Sequence, residues 1–261
     1  SIAIQKVALE RLALLMGNRC LDNREEKTIL ESIDLLLEKR AGLSEALDAE
    51  RTSLEKFNFK EHFSLSLFST GSSDETEKPT KVKKSLYDRF LIFFYGRAAQ
   101  KHFDRMLAFI YDEGEKAMKR GFVDGEADLD RVSEYIMKLS REAGGGGERS
   151  LSGGERLAAT LIAIAVPGIK RAYIQDLKIS QYRRGLEIIH LLNEFYRDRN
   201  AYPNSLTELR DHAGRPLPGD VYTNADLIYR RSGDSFVLYS PGADKQDDNM
   251  ERYKDIVLYS P

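Results

Sequence analysis

Tryptophan is absent from this 261-residue chain, and cysteine occurs once, at Cys20. A single cysteine cannot form a disulfide within the chain, and no cysteine pair is present to bind zinc. The four histidines are scattered without H-x-x-x-H spacing, so the sequence predicts neither a zinc site nor a metalloprotease. No G-x-S-x-G nucleophile motif occurs either. Because no catalytic machinery can be identified, the sequence favours a non-enzymatic protein.

An excess of charge of one sign is also lacking, since 40 basic and 42 acidic side chains give a net charge of −2. Such a chain has no broad field for phosphate backbones, so nucleic acid is not an expected partner. The most apolar run, residues 157–169, contains Pro167 and is shorter than the ~20 residues that span a bilayer, which predicts a soluble chain. The chain begins Ser1-Ile2 without an initiator Met, which is compatible with a processed product that has lost a signal peptide or membrane anchor.

Length and composition predict two modest units, with 41% hydrophobic and 31% charged residues. Apolar side chains recur at helical spacing through much of residues 1–143, which predicts an all-α region. Within it, residues 69–80 hold almost no apolar side chain, which predicts an exposed, mobile loop. Four consecutive glycines, residues 144–147, are costly to order, so residues 144–150 are predicted to be a flexible joint.

After the joint, the pattern changes from helix to helix plus strands. Residues 158–197 have a wide apolar stripe that predicts one long helix, kinked at Pro167. Residues 227–232, 236–240 and 255–260 have the composition of β-strands, and short polar turns separate the first two. We therefore predict an α+β fold, in which an α+β module at residues 151–261 packs a small antiparallel sheet on the long helix.

Three further patterns have ordinary structural interpretations. His190 lies beside the apolar stripe of the long helix, where a histidine with satisfied hydrogen bonds or a surface histidine is expected. Aromatic residues in the range 90–95 have helical spacing, which is typical of core packing. The basic residues at 81–84 form too short a cluster to indicate nucleic-acid binding and are expected to lie in solvent.

Residues 150–156 read Ser-Leu-Ser-Gly-Gly-Glu-Arg, which matches the signature of ATP-binding-cassette ATPases. That signature acts on nucleotide that a separate phosphate loop holds, and no G-x-x-x-x-G-K-[ST] loop occurs in the chain. Nucleotide binding is therefore not predicted. We interpret Ser152 as the N-cap of the following helix and Glu155 as the partner residue of a capping box.

Residues 164–167 (Ile-Ala-Val-Pro) precede a long amphipathic stretch that ends with Tyr-Arg-Asp-Arg-Asn-Ala-Tyr-Pro-Asn-Ser-Leu at residues 196–206. This arrangement resembles the pilin family, in which an apolar helix continues as an amphipathic stem and closes with a Tyr-Pro-x-x-Leu element. The tail, Phe-Val-Leu-Tyr-Ser-Pro-Gly-Ala-Asp at residues 236–244 with later aspartates, resembles the major pseudopilin of type II secretion systems. That resemblance implies an equivalent loop that holds calcium.

The composition of this loop also favours a cation. Residues 240–255 concentrate four aspartates between two predicted strands, and a divalent cation would relieve their mutual repulsion. The candidate ligands are Ser240, Asp244, Asp247, Asp248 and Asp255; the resemblance matches Asp244 and Asp255 best, with Asp247 or Asp248 completing the set. A solvated acidic turn would contain the same residues, and at this stage that alternative stays open.

Together these observations predict a binding or scaffolding protein of the bacterial cell envelope, with calcium in its tail and other envelope proteins as partners. The extracytoplasmic location is an implication of the resemblance. One alternative is a true pilus or type II secretion subunit that polymerises through the long helix. Another is an enzyme with a pocket in the helical region.

Overall fold

The structure is a computed structural model that describes residues 2–38, 43–56, 86–146, 151–166, 168–251 and 254–261. Its helices are α1 (Ile2–Gly17), α2 (Asn23–Glu38), α3 (Leu43–Glu55), α4 (Leu86–Lys119), α5 (Phe122–Ala143), α6 (Gly153–Ala165), α7 (Ile169–Arg199) and α8 (Leu206–Ala213). The strands are β1 (Ile228–Ser232), β2 (Ser235–Ser240) and β3 (Ile256–Tyr259). The fold class is α+β, as the sequence predicts. The predicted loop 69–80, the basic residues 81–84, Pro167 and the side chains of 90–95 lie outside the described residues.

The backbone contacts divide the chain into two compact units. The first unit comprises Ser1–Leu43, Met118–Glu126 and Lys170–Pro261, and the second comprises Ser44–Ala117 and Ala127–Ile169. This division does not follow the predicted boundary at residues 144–150. The first two helices belong with the C-terminal sheet, because they cover α7, whereas residues 151–169 belong with the central helices.

In the first unit, the three strands form one antiparallel sheet in the order β1-β2-β3. Ile228 pairs with Tyr239 and Ser240 pairs with Ile256, with an irregularity in β2 between Leu238 and Tyr239. Helix α7 packs on this sheet at Gly185, where a Cβ atom would lie 2.7 Å from Leu258 Cδ1. The close approach of helix and strand therefore requires a residue without a side chain.

Helices α1 and α2 cover other parts of the same core. A Cβ atom on Gly17 would lie 2.1 Å from the ring of Tyr259, whose hydroxyl donates to Asn18 Oδ1 at 3.0 Å. From α2, Asp34 binds the α7 residue Arg183 through two hydrogen bonds of 2.5 and 2.7 Å. Helix α7 is thus enclosed by the sheet on one side and by α2 on another.

The segment Met118–Glu126 belongs to the first unit through its aromatic and charged contacts. Phe122 meets the ring of Tyr222 edge-on at 5.3 Å, and Glu126 pairs with Lys245 at 2.6 Å and with Lys170 at 3.4 Å. This short segment therefore links α7 to the loop that follows β2.

The second unit is helical in its described residues. Its buried core is formed by side chains of α4, α5 and α6, namely Ala99, Phe103, Leu107, Ile110, Leu129, Val132, Leu139, Ala158, Ala159 and Ile162. Helices α4 and α6 approach closely, since a Cβ atom on Gly154 would lie 3.1 Å from Ala98 Cβ. Arg51 of α3 binds Asp112 of α4 at 2.6 Å.

Two helix ends follow rules that can be read from the sequence. Helix α6 begins with a capping box: Ser152 Oγ accepts from the Glu155 N–H at 3.3 Å, and the Glu155 carboxylate accepts from the Ser152 N–H at 3.0 Å. The interpretation of this motif as a helix entry is confirmed. Helix α5 ends where Gly145 adopts φ +81° and the Gly146 N–H donates to Arg141 O at 3.1 Å, so the first glycines of the run close a helix.

The long helix predicted at residues 158–197 is two helices, since α6 ends at Ala165 and α7 begins at Ile169. By length and composition, the stretch Gly153–Arg199 is apolar enough to cross a membrane, and 38% of its most apolar window is buried inside the protein. Core helices of soluble proteins meet the same criteria, so this feature alone does not distinguish a soluble chain from an anchored one.

Candidate metal loop and a buried carboxylate cluster

The loop between β2 and β3 begins with a 3₁₀ turn at Gly242–Asp244. Gly242 has φ +73°, and a Cβ atom there would lie 2.3 Å from the carbonyl oxygen of Lys254. Ser240 Oγ accepts from the Gly242 N–H at 3.0 Å. The start and the end of the loop are therefore held together, as two paired strands require.

Asp247 is bound by side chains of the sheet. Its Oδ1 accepts from the Tyr239 hydroxyl at 2.8 Å and from the Asn249 N–H at 3.0 Å, and its Oδ2 accepts from Arg230 Nη2 at 3.0 Å. The hydrogen bond from Tyr239 is the largest of the effects that lower the pKa of this exposed carboxyl. Asp247 is already paired with the guanidinium group of Arg230.

Asp248, which is half-buried, and the exposed Asp244 have separate partners. Asp248 Oδ1 binds Lys254 Nζ at 3.1 Å. Asp244 Oδ1 accepts from the Gln246 N–H at 3.2 Å, which closes a local turn. Within the described residues, no three carboxylate, histidine or cysteine side chains converge in a way that could hold a metal ion.

Asp255 differs from the other three, because it is 93% buried. Its Oδ2 accepts from the Met250 N–H at 2.6 Å, whereas its Oδ1 has no hydrogen-bond partner among the described residues. A buried carboxylate oxygen without a donor is costly, and a cation would satisfy it. The donor set therefore fits calcium in part: Asp255 offers a free oxygen, and Asp247 and Asp248 would have to exchange their cationic partners for the ion.

A second cluster of charged residues lies between α2 and α7, away from the loop. Glu26 is fully buried. Its carboxylate accepts from Asn193 Nδ2 at 2.8 Å and from Arg197 Nη2 at 2.9 Å, and it lies 2.7 Å from His190 Nδ1. Asn193 Nδ2 also donates to the carbonyl oxygen of Met16 at 2.8 Å, so the cluster reaches the end of α1.

The contacts of this cluster hold helix α2 against helix α7. The carboxylate has three polar partners, one of which is the compensating cation Arg197, and this is the condition under which a buried charge is tolerated. His190 has its Nε2 3.5 Å from Glu194, so both ring nitrogens face carboxylates, and the interpretation of His190 as a satisfied histidine agrees with its contacts.

Sequence reasoning missed Glu26, although a signal was present. Glu26 falls four residues before Leu30 and seven before Ile33, on the apolar stripe of α2 whose residues are buried. An acidic residue on a buried stripe needs a cationic or hydrogen-bonding partner on the element that covers it. The polar residues His190 and Asn193 on the buried face of the long helix supply that partner.

Comparison with protein-family models gives no match for this chain. No curated protein and no solved structure matches it either.

Proposed function

We propose that the chain is a non-enzymatic binding or scaffolding protein of the bacterial cell envelope, with a pseudopilin-like module formed by α7 and the three-stranded sheet. The support is the order of elements in the first unit: a 31-residue helix, the Tyr202-Pro203 turn, the short helix α8 and an antiparallel sheet that packs on the long helix through Gly185. The same order is expected of the family that the sequence resembles. The proposed location is extracytoplasmic, and the proposed partners are other envelope proteins.

The observation that carries the scaffolding role is the burial of α7 within its own chain. Leu186, Ile188, Ile189 and Leu192 are fully buried, and His190, Asn193 and Arg197 are bound by Glu26 of α2. A pilus subunit that polymerises through this helix needs one face of it free for its neighbours. Because the sheet and α2 already occupy different sides of α7, a single folded copy fits a scaffold better than a filament.

The described core of the second unit favours the non-enzymatic role over the enzyme alternative. Its centre is formed by apolar side chains of α4 and α5, such as Phe103, Ile110 and Leu129, which are at most 1% exposed. An enzyme that uses carboxylates would need at least two of them facing one cavity. The buried carboxylates Asp128 and Glu142 are paired with Arg131 and Lys138, and they lie 14 positions apart on α5, which is about 21 Å along a helix. We therefore assign the helical unit a structural or partner-binding role.

Calcium is part of the proposal and concerns the loop after β2. Asp255 Oδ1 and Ser240 Oγ would supply buried oxygens, and Asp244, Asp247 and Asp248 would supply further carboxylates from the same loop. Binding would add stability by mass action, as any ligand of the folded state does. The ion would tie the end of β2 to the start of β3.

The experiment that tests the role is fractionation of the bacterium that produces the protein, with the product of the full gene detected by antibody. The expected result is that the protein stays in the periplasmic or envelope fraction and is not released by mechanical shearing. Release in the sheared fraction as a filament would replace the scaffold with the pilus-subunit alternative. Recovery in the cytoplasm would overturn the envelope assignment.

A further inference from the structure

Helix α2 contributes little apolar surface to the core of the first unit. Of its 16 residues, three are buried, Glu26, Leu30 and Ile33, and one of these three is charged. Leu35 and Leu36, near the end of the helix, are 51% and 67% exposed. Helix α7, in contrast, buries several apolar side chains, namely Ile179, Leu186, Ile188, Ile189, Leu191, Leu192 and Phe195. Segments with few buried apolar contacts are the ones that open most easily in a folded protein, and α2 has this property.

Charged side chains join α2 to α7 along the length of their contact. Opposite charges meet in three places, which are Asp34 with Arg183 at 2.5 and 2.7 Å, Lys27 with Glu194 at 3.1 Å, and Glu26 with Arg197 at 2.9 Å and with His190 at 2.7 Å. The three basic residues of α7 are seven positions apart, so they lie on one face of the helix. The pairs follow opposite orders in the two helices, so complementary charge fixes an antiparallel register.

Two carboxylates of this contact have a lowered pKa. The hydrogen bonds from Arg183 lower the pKa of Asp34 more than its partial burial raises it. Burial would raise the pKa of Glu194, but the hydrogen bond from Lys27 and the nearby His190 outweigh it, and the pKa is lowered. The stability that these two carboxylates add is therefore present above their unfolded values of about 3.9 and 4.3, and it is lost as pH falls through the folded values.

The other charged groups at the contact do not compensate for this loss. Glu187 binds Arg183 at 2.8 Å and Arg215 at 2.6 Å, and it is a carboxylate that acid neutralises as well. Arg183, Arg197 and Lys27 keep their charge at every acidic pH. Once the carboxylates are protonated, like charges face one another across α2 and α7, and repulsion replaces attraction.

We propose that α2 is an acid-released strap, which covers one face of α7 near neutral pH and opens as a unit below about pH 4, before the sheet and the core of α7 unfold. The contact between α7 and the sheet depends on the close approach of Gly185 to Leu258, which acid does not alter. Opening would uncover the face of α7 that carries Arg183, His190 and Arg197, so access to this face would be controlled by pH. Neither calcium nor an envelope location is needed for the release.

The test is hydrogen exchange of the unmodified full chain, followed by mass spectrometry between about pH 7 and about pH 3 and expressed as protection relative to the intrinsic rate at each pH. Protection in peptides from α2 should fall on the order of 10-fold more than protection in peptides from α7 and β2, because hydrogen bonds to a charged group are lost. Far-UV circular dichroism over the same range should keep most of its helical signal, since α2 supplies only 16 residues.

A second measurement separates the effect of charge from the effect of packing. The double substitution Asp34→Leu with Arg183→Met replaces the ion pair with apolar side chains, which can hold the helices together without a group that titrates. Glu187 keeps its partner Arg215 in this variant. The loss of protection that acid causes in α2 should be smaller than in the wild type. The matched control is Glu31→Gln, an exposed acid on the same helix, in which α2 should open in acid as it does in the wild type.

Four results would overturn the strap. Loss of protection in α2, α7 and β2 together would show that the ion pairs are a fixed part of one cooperative core. Protection of α2 that stays unchanged down to about pH 3 would show that the contact does not depend on its carboxylates. Absence of protection in α2 at neutral pH would show that the contact is not closed there. An undiminished acid response in the double variant would show that the response does not come from Asp34 and Arg183.

Discussion

The sharpest prediction concerns Glu26, whose carboxylate joins α2 to α7 without contact with solvent. The informative substitution is Glu26→Gln, since it keeps the size of the side chain and removes its charge. Glutamine offers one oxygen acceptor in place of two and puts an N–H₂ group toward donors that previously had an acceptor. Asn193 Nδ2 and Arg197 Nη2 both bind Oε1, and His190 Nδ1 faces Oε2. With the amide nitrogen toward Asn193 and Arg197, both of those contacts fail. With the amide nitrogen toward His190, the imidazole can accept through Nδ1, but the negative charge opposite Arg197 is still lost.

The size of the effect follows from burial. Removing one partner of a buried ion pair costs about 3–5 kcal/mol, because the other charge stays in a poorly solvated site. Arg197 is 34% exposed and can recover part of its hydration, which moves the expected loss to the lower end of that range. We expect Glu26→Gln to lower the free energy of unfolding by about 3 kcal/mol, a large part of the 5–15 kcal/mol that stabilises most domains.

The assay is urea unfolding followed by far-UV circular dichroism, with the free energy taken from the shift in midpoint at unchanged slope. Hydrogen exchange should show the loss first in the amides of α2, because that helix loses its tie to α7. The matched control is Glu31→Gln, an exposed acid on the same helix, which should change stability by less than about 0.5 kcal/mol. If the two variants were equally stable, the carboxylate cluster would not hold the helices together.

Two further predictions concern acid and metal. Burial alone would raise the pKa of Glu187, but hydrogen bonds from Arg215 and Arg183 outweigh it, and the pKa is lowered. The stability that this carboxylate adds is therefore present above the unfolded value of about 4.3 and is lost as pH falls through the folded value, so Glu187→Gln should flatten the acid limb of a pH–melting curve. Calcium at 1 mM should add about 1.4 kcal/mol relative to EDTA for a site with a dissociation constant of ~100 µM. Asp255→Asn should abolish this gain and Asp234→Asn, in the exposed β1–β2 turn, should keep it; equal melting of the wild type in both solutions would refute the site.

The elements that sequence reasoning found are those that local patterns determine. The strands predicted at residues 227–232, 236–240 and 255–260 are confirmed at β1, β2 and β3 within one residue at each end. Their alternation of side chains and the tight turn at Gly233 are short-range signals. The capping box at Ser152 and Glu155 is likewise confirmed, since it depends on four adjacent residues.

The division into units could not be predicted in the same way. The apolar stripe of α2 indicates that the helix packs against something, but any amphipathic neighbour would satisfy it equally. The partner is α7, and Glu26 and His190 are 164 positions apart in the chain. Only the chemistry of the buried carboxylate distinguishes this partner from the central helices, because it requires donors that α7 has on its covered face.

The acidic loop shows the opposite problem, in which the sequence shows the charges and hides their partners. Four aspartates within residues 244–255 suggest mutual repulsion when they are considered alone. In the structure, Arg230 of β1 reaches Asp247 and Lys254 reaches Asp248, so two of the four charges are already neutralised. The demand for a cation is therefore concentrated on Asp255, and that residue decides between a metal site and a solvated turn.

The buried carboxylate also bears on how the protein works, because it makes two uses of α7 mutually exclusive. For α7 to serve as a polymerisation surface on the side that α2 now covers, α2 would have to leave, and Glu26 and Arg197 would separate. The cost of that step is comparable to the effect expected for Glu26→Gln, about 3 kcal/mol, together with the exposure of Leu30 and Ile33. Contacts with a neighbouring subunit would have to offset this free energy each time a subunit is added. A scaffold keeps the contact between α2 and α7. The closed arrangement of α2 on α7 therefore counts against polymerisation through that side of α7.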